Sequence, residues 1–503
     1  MRPSRFATTR KVVALPTAFC LVLAVTTWPA CADPLPAPQS SPANASPQDL
    51  CEQLANPPAG VDTSNLTGAW IDPDPPQAAA ALPACQQAAL QGHKPHFIFL
   101  YARVLHAMHQ YPDALQQYQE AAHHHDAPAM TNLGGMYLNG EGVPRSDPDA
   151  FAWYSKAAHA GDAHAMYNLA YMYASGRGTA PSSTDAVAWL HKAIDAGDAD
   201  AMVILGNMYA GGHGVPQSDV EAVAWYRRAA DAGVPLGMQN LGVMYRDGRG
   251  VPQSDTEAAA WFRKAADAGN SMGMNNAGFM YRNNRGVAQS DADAAALFRK
   301  AAEAGSPEGM YNLGWMYMNG RSLAQSDADA VAWFRKAADA GIVPAMYYLG
   351  VMYQKGRGVP QSYPDAVTWF RKAADQHYGW AELSLGVLYQ NGWGVDRNVP
   401  GAQTLYGQAA ANSDSQVANA GTTLGNRLQT SNSAGTVAVV AVGVLAILAI
   451  LAAMSSSGGP SGYTPSQDDD SSDNYWQQQQ KHMNDCLLLE AGEIEGREWI
   501  GCP

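Results

Sequence analysis

The chain is 503 residues long and carries 45 acidic against 31 basic side chains, a formal net charge of -14. An acid surplus of that size excludes a partner gripped through its phosphates, so nucleic acid is not a ligand class this sequence supports. The length alone would allow several domains, but internal repetition replaces them with one long array.

In chain order, residues 1–32 hold Arg2, Arg5, Arg10 and Lys11, no acid, and an apolar run from Val12 to Val25. With Ala30 and Ala32 offering a small-residue cleavage site before Asp33, they read as a secretory signal. A lipidated Cys31 is the alternative; the preceding Trp28-Pro29-Ala30 lacks the usual apolar residue three places upstream. Residues 33–95 form an N-terminal segment containing Cys51 and Cys85. An even number of cysteines beyond the signal suits an oxidising compartment. Export and even count favour a Cys51–Cys85 disulfide, and free thiols are the other reading. Residues 96–128 include Phe97, Leu100, Tyr101 and a second apolar pattern from Tyr111 to Ala122, a helical hairpin that would cap the repeat array.

From 129 to 412 the sequence repeats every 36 residues. Met130, Met166, Met202, Met238, Met274, Met310 and Met346 keep that step, and Tyr137 to Tyr389 extend it to eight units. In the first unit Met130, Leu133 and Tyr137 share one helical face, and Ala150, Trp153, Tyr154, Ala157 and Ala158 share another. Gly140 and Gly142 turn the chain between them. Ser146 with Asp149 opens the second helix, and the same capping spacing recurs in seven of the eight units. A hairpin this small must bury its second face on its neighbour, so the units stack. Trp153, Trp189, Trp225, Trp261, Trp333 and Trp369 are expected to fill the space between them. Asn284 and Leu297, where other units have Gly and Trp, mark the fifth unit as more weakly packed.

The pattern A-x-x-x-L-G-x-x-Y-x-x-G-x-G-V with W-[YF]-x-K-A-A-x-x-G resembles the Sel-one-like repeat family, a relative of the tetratricopeptide repeats. The resemblance implies an all-α, right-handed superhelical solenoid of helix-turn-helix repeats, a concave groove that holds partner proteins, and no shared catalytic activity. In the related tetratricopeptide repeats, the place held here by Asn132, Asn168, Asn240, Asn276 and Asn312 faces the groove and bonds a bound peptide's backbone. A buried amide ladder tying repeats together is the alternative. Tyr167, Tyr171, Phe279, Tyr311, Trp315 and Tyr347 lie beside this row and would supply aromatic anchors for an unidentified protein or peptide. The positions before the asparagines hold no basic residue, so a carboxylate clamp is not expected.

No nucleophile, zinc-helix, phosphate-loop or dinucleotide motif occurs, which argues against an enzyme. No cofactor or metal is expected: His123, His124, His125 and Asp126 are adjacent in sequence and so point different ways around a helix end. Residues 413–435 read as a linker. Residues 436–454 are nineteen uncharged, mainly apolar residues, long enough for a transmembrane helix of about 28 Å. Residues 455–503 form a low-complexity linker and short tail holding Cys486 and Cys502, whose pairing is left open. These features together predict an exported, single-pass membrane protein with its repeats on the periplasmic or extracellular side. They predict a scaffold; the family resemblance leaves a cell-wall or β-lactam-directed enzyme as one competing function, and the tail beyond the apolar stretch leaves a transmembrane regulator as another.

Overall fold

The structure is a computed structural model that describes residues 46–55, 75–92 and 94–434. The secretory signal, the 436–454 span and the tail with Cys486 and Cys502 lie outside the described residues. The chain divides into two units, Met1–Ser46 and Pro47–Pro503, and the described helices belong to the second. Its described residues form 21 α-helices and no strand.

Helix α1 (Pro47–Ala55) is joined to α2 (Pro75–Gly92) by a disulfide between Cys51 and Cys85, with the two Cα atoms 4.7 Å apart. Helices α3 (Pro95–Ala107) and α4 (Tyr111–His123) form the hairpin that precedes the array. The first repeat pairs α5 (Ala127–Asn139) with α6 (Asp147–His159), and the second pairs α7 (Ala163–Ser175) with α8 (Ser183–Asp195). Repeats three and four are α9 (Asp200–Gly211) with α10 (Asp219–Asp231) and α11 (Pro235–Asp247) with α12 (Asp255–Asp267). Repeats five and six are α13 (Ser271–Arg282) with α14 (Asp291–Glu303) and α15 (Pro307–Asn319) with α16 (Asp327–Asp339). Repeats seven and eight are α17 (Val343–Lys355) with α18 (Tyr363–Ala374) and α19 (Gly379–Asn391) with α20 (Val399–Ala410), and α21 (Ser415–Ala434) comes last.

The caps set these boundaries. Ser146 accepts a hydrogen bond from Asp149 N and so satisfies a donor that the first turn of α6 cannot. Ser182, Ser218, Ser254, Ser290, Ser326 and Ser362 do the same for their helices, and Asn398 serves α20. Apart from α13, the first helices of the repeats end on a left-handed glycine such as Gly140, φ 77°. The second glycine of each turn has a further reason. At Gly178, Gly250 and Gly358 a Cβ would strike the backbone of Asp147, Asp219 and Asp327 in the preceding repeat. Ser322 stands at that place in repeat six and is forced to φ 58°.

Within a repeat the aromatic residue after the tryptophan fills the core. Tyr154, Tyr226, Phe262, Phe298, Phe334, Phe370 and Tyr406 are all buried. Each lies where a Cβ on Gly134, Gly206, Gly242, Gly278, Gly314, Gly350 or Gly386 would be. In repeat two both change together: Ala170 replaces the glycine and Leu190 the ring, and both are buried. The tryptophans expected to fill the space between repeats are half-buried, Trp189 beside His159 and Trp225 beside His191 of the preceding repeat, because the helical period turns them one position away from the core of their own repeat. Their faces are covered by a cation three residues on, Lys156 4.1 Å from Trp153 and Lys192 3.6 Å from Trp189.

Neighbouring repeats are clamped at their turns. Arg177 reaches back 30 residues to hold Asp147 through two hydrogen bonds of 2.8 and 3.1 Å. Arg249–Asp219, Arg285–Asp255 and Arg357–Asp327 repeat that fork. Where the acid is missing the partner changes: Tyr363 meets Trp393, ring centroids 5.7 Å apart. Beside Ser322 the clamp is reduced to one bond, Arg321 to Asp291 at 2.9 Å, and the other Asp291 oxygen is buried without a partner.

The stretch 413–435, read from sequence as a linker, is instead mostly α21. Val417, Leu424 and Leu428 fall on one helical face and are buried against the final repeat. Helix α21 touches α19 as the first helix of a ninth repeat would. Its exposed positions up to Gln429 are polar or charged, which is the composition an end cap needs.

Candidate partner-binding groove

First helices touch the first helices of neighbouring repeats, α9 with α11, α11 with α13 and α13 with α15, whereas second helices do not approach each other so closely. The first helices therefore occupy the tighter side of the stack, and their outward residues line one continuous face. Counting from the residue after each first-helix cap, the second, sixth and ninth positions recur on that face at helical spacing.

The asparagine row sits at the sixth position, deeper than a solvated ladder. Asn132, Asn168, Asn276 and Asn312 are buried and Asn240 is half-buried. Their reach is partly lateral. Asn312 Nδ2 donates to Asn275 Oδ1 of the preceding repeat at 2.8 Å, and its Oδ1 accepts from Arg282 Nη1 at 3.1 Å. Asn240 Nδ2 contacts Asn207 Oδ1 at 3.4 Å, and Asn132 Nδ2 turns back to Pro128 O at 3.0 Å. This geometry matches the inter-repeat amide alternative at Asn240 and Asn312. Asn276 differs, since its amide nitrogen is buried and meets no acceptor.

The aromatic anchors separate into three kinds. Tyr171 is exposed and Tyr167 half-buried, with burial and the neighbouring Asp198 and Asp200 pushing the Tyr167 hydroxyl up. Tyr311 and Tyr347 are core residues rather than open anchors. Tyr311 packs 5.9 Å from Phe334 and Tyr347 5.6 Å from Phe370, because the fifth position of the helix points into the junction between repeats. Burial pushes the Tyr311 hydroxyl up to about 12. Phe279 and Trp315, at the ninth position, form the floor of the face and are 9% and 6% exposed. Arg282 lies between them, its guanidinium 5.6 Å from the Phe279 ring and 5.1 Å from the Trp315 ring, and loss of water lowers its pKa.

Other residues of this face were not foreseen. Asp126, Asp162 and Asp198 cap α5, α7 and α9 from the rim. Asp162 also accepts from Thr131 across the junction at 2.9 Å. Burial raises the Asp126 and Asp198 carboxyls above the usual range, offset in part by His96 beside the first and His164 beside the second. A 36-residue alignment of the cap positions would have exposed this column. Among the described residues no group of His, Cys, Asp or Glu could hold a metal ion. His125 instead makes the turn at φ 62°, before Asp126 caps α5.

Sixteen helices stacked as eight hairpins with a shared first-helix face, α5 to α20, define an all-α repeat solenoid. The Sel1 repeat model matches residues 127–162, 163–198, 199–234, 235–270, 271–306, 307–342, 343–378 and 381–414, and the chain belongs to that family. Among solved structures it is similar to c5321 of uropathogenic Escherichia coli, described as a protective antigen with an SLR fold. Identity there is 27%, covering 74% of this chain and 94% of that one, with a TM-score of 0.39. A Sel1 repeat protein from Oxalobacter formigenes is 29% identical over 63% of this chain and 94% of its own, TM-score 0.47. Immunity protein Pa5087 of Pseudomonas aeruginosa is 22% identical over 46% of this chain and 82% of its own, TM-score 0.28. No curated protein matches the chain.

Proposed function

We propose that this chain is a membrane-tethered scaffold of the cell envelope that captures a protein or peptide on its first-helix face. The observation that carries the reading is the continuity of that face through the repeats: five of the seven junctions between repeats carry an arginine–aspartate contact on another edge, at the turns, while the second and ninth positions vary from repeat to repeat. Export is supported by the basic and apolar start of the sequence and by the Cys51–Cys85 disulfide, a bond suited to an oxidising compartment. Tethering is supported by the uncharged stretch 436–454. No helix among the described residues is long and apolar enough to cross a membrane, and 436–454 lies outside them.

A photo-crosslinking residue placed at Tyr171, on the proposed face, should capture a partner in intact cells. The same residue at Val220, exposed on α10, should not. Equal labelling from both sites, or labelling from Val220 alone, would remove the basis for the groove. Reporter fusions on either side of 436–454 test the tether.

A further inference from the structure

The first-helix face changes character once along its length, and two independent columns of residues change together. The cap column is acidic in repeats one to three, Asp126, Asp162 and Asp198, and uncharged afterwards, Val234, Asn270, Ser306, Ile342 and Tyr378. The ninth position is small or polar in the same three repeats, Gly135, Tyr171 and Asn207, and apolar in the next five, beginning with Val243, Phe279 and Trp315. Both columns switch between α9 and α11. Asp200 adds a fourth acid to the first half, and α5, α7 and α9 contain no Lys or Arg. In the second half, half-buried Leu236, Val243, Met272 and Pro344 present apolar surface above the floor of Phe279 and Trp315, interrupted at the second position of repeat six by the half-buried acid Glu308. Basic side chains on the first helices, Arg246, Arg282 and Lys355, occur only there.

From this we infer that the groove reads polarity: its partner is a peptide segment in which a basic stretch is joined directly to an apolar one. The basic part lies on the acidic rim of repeats one to three, and the apolar part on the floor of repeats four to eight. Three properties of the face support the assignment. The carboxyls of Asp126 and Asp198 are disfavoured by burial, and Asp162 adds like charge beside both, so a cation placed among them relieves a cost already present. The apolar half repels charge for the opposite reason, since Arg282 is already a desolvated cation and a second one beside it would be unfavourable. Within the apolar half, on α13, Asn276 holds a buried amide donor with no acceptor, the complement of a peptide carbonyl. With neighbouring helices roughly 8–10 Å apart, five repeats offer about 40 Å, which an extended strand covers in about a dozen residues. Alternate residues of that strand face the floor, so the apolar stretch is read as every second side chain.

This inference rests on the groove reading, and its test keeps the two apart. The full chain, oxidised and held in nanodiscs, is titrated with labelled peptides of four lysines followed by twelve alternating leucines and serines, made in both directions. Two twins carry Glu for Lys or Ser for Leu, and empty nanodiscs serve as the blank. The lysine-leucine peptide, in one direction or the other, should bind about tenfold more tightly than either twin, a difference of roughly 1.4 kcal/mol. The double variant Asp198→Asn/Asp200→Asn, which keeps a capping acceptor on α9, should erase the preference for Lys over Glu and leave the preference for Leu over Ser. If the Glu twin binds as well as the Lys peptide, or if the double variant changes nothing, the polarity inference is wrong. Should peptides of every composition bind and compete with capture from Tyr171, the groove stands without the polarity. Should none bind, the polarity falls, and capture from Val220 would take the groove with it.

Discussion

The two long edges of the array use the same 36-residue period in opposite ways. At the turn edge the chemistry is nearly constant: an arginine just before the second turn glycine reaches back to the aspartate that begins the preceding second helix, four times with a two-bond fork. Along the first-helix face the chemistry is different in almost every repeat, from Gly135 and Tyr171 to Phe279 and Trp315 at a single position. What stacks the repeats is therefore largely separated from what they present, Asn240 and Asn312 being places where the face itself bonds the preceding repeat. A solenoid whose stability is a sum of units and junctions can tolerate variation on the face only if the junctions do not depend on it.

The largest test of that separation lies in the core. Phe334 is fully buried over Gly314, whereas its neighbour Trp333 is half-buried under Lys336 at 4.1 Å. Phe334→Ala should cost about 3–5 kcal/mol, and Trp333→Ala less than half of that, measured by urea denaturation with attention to loss of cooperativity in a long array. If the tryptophan variant loses as much as the phenylalanine one, the tryptophan belongs to the core after all.

The asparagine row tests whether the face ever takes part in stacking. Asn312 joins Asn275 and Arg282 of the preceding repeat, so Asn312→Ala should destabilise by about 1–3 kcal/mol through the groups it leaves without their bond. Asn276→Ala removes an amide that has no acceptor and should be nearly neutral in the same melt. A comparable loss in both variants would make the whole row structural.

These two sites also show what the sequence could and could not disclose. The period, the hairpins, the serine caps and the turn glycines were legible because each depends on residues close in sequence with one geometric solution. The apolar stripe of the second helix holds both the tryptophan and the Tyr or Phe after it, and periodicity alone does not say which of the two neighbours is the more deeply buried. The linker at 413–435 was misread because Val417, Leu424 and Leu428 are spaced too widely to stand out among Ser, Thr, Asn and Gly, and their burial comes from α19 and α20. The burial of Tyr311 and Tyr347 was hidden because it is made by rings distant in sequence, Phe334 and Phe370 on the second helix of the same repeat and, for Tyr311, also Tyr348 of the next repeat. The clamp from Arg177 to Asp147 was present as two columns offset by 30 residues, and only stacking reveals that they meet.

A smaller effect concerns the one turn that breaks the rule at its edge. Ser322 holds φ 58° where every other repeat has a glycine, and the adjacent Arg321–Asp291 contact is reduced to one bond. Ser322→Gly should relieve the left-handed strain and let the fork close, raising stability by about 1 kcal/mol. Deletion of the clamp itself, Arg321→Ala, should then cost more in the Ser322→Gly background than in the natural chain, a coupling that a double-mutant cycle reads directly. Additive effects would mean that the serine and the weakened clamp are unrelated.

The smallest effect sets the two edges against each other in acid. At the turn edge the hydrogen bonds from Arg177 hold the Asp147 carboxyl below its ordinary value. A folded pKa below the unfolded one contributes stability that is present above the unfolded value, near 4, and is lost as pH falls through the folded value. On the rim of the face Asp198 behaves oppositely, because burial raises its carboxyl. Its ionised form is then a cost to the folded state at neutral pH, and that cost disappears as the pH drops below the folded value and the group takes up a proton in the native chain. Asp147→Asn should therefore lower stability at pH 7 and flatten the loss on acidification. Asp198→Asn, which keeps the cap on α9, should raise stability at pH 7 by about 0.5 kcal/mol, and the gain should vanish by about pH 4. Thermal melts of both variants from pH 7 to pH 4 measure the two slopes. If Asp198→Asn is destabilising at pH 7, or if its effect does not change with pH, the carboxyl is not a disfavoured anion, and the acidic rim loses its reason to attract a basic partner.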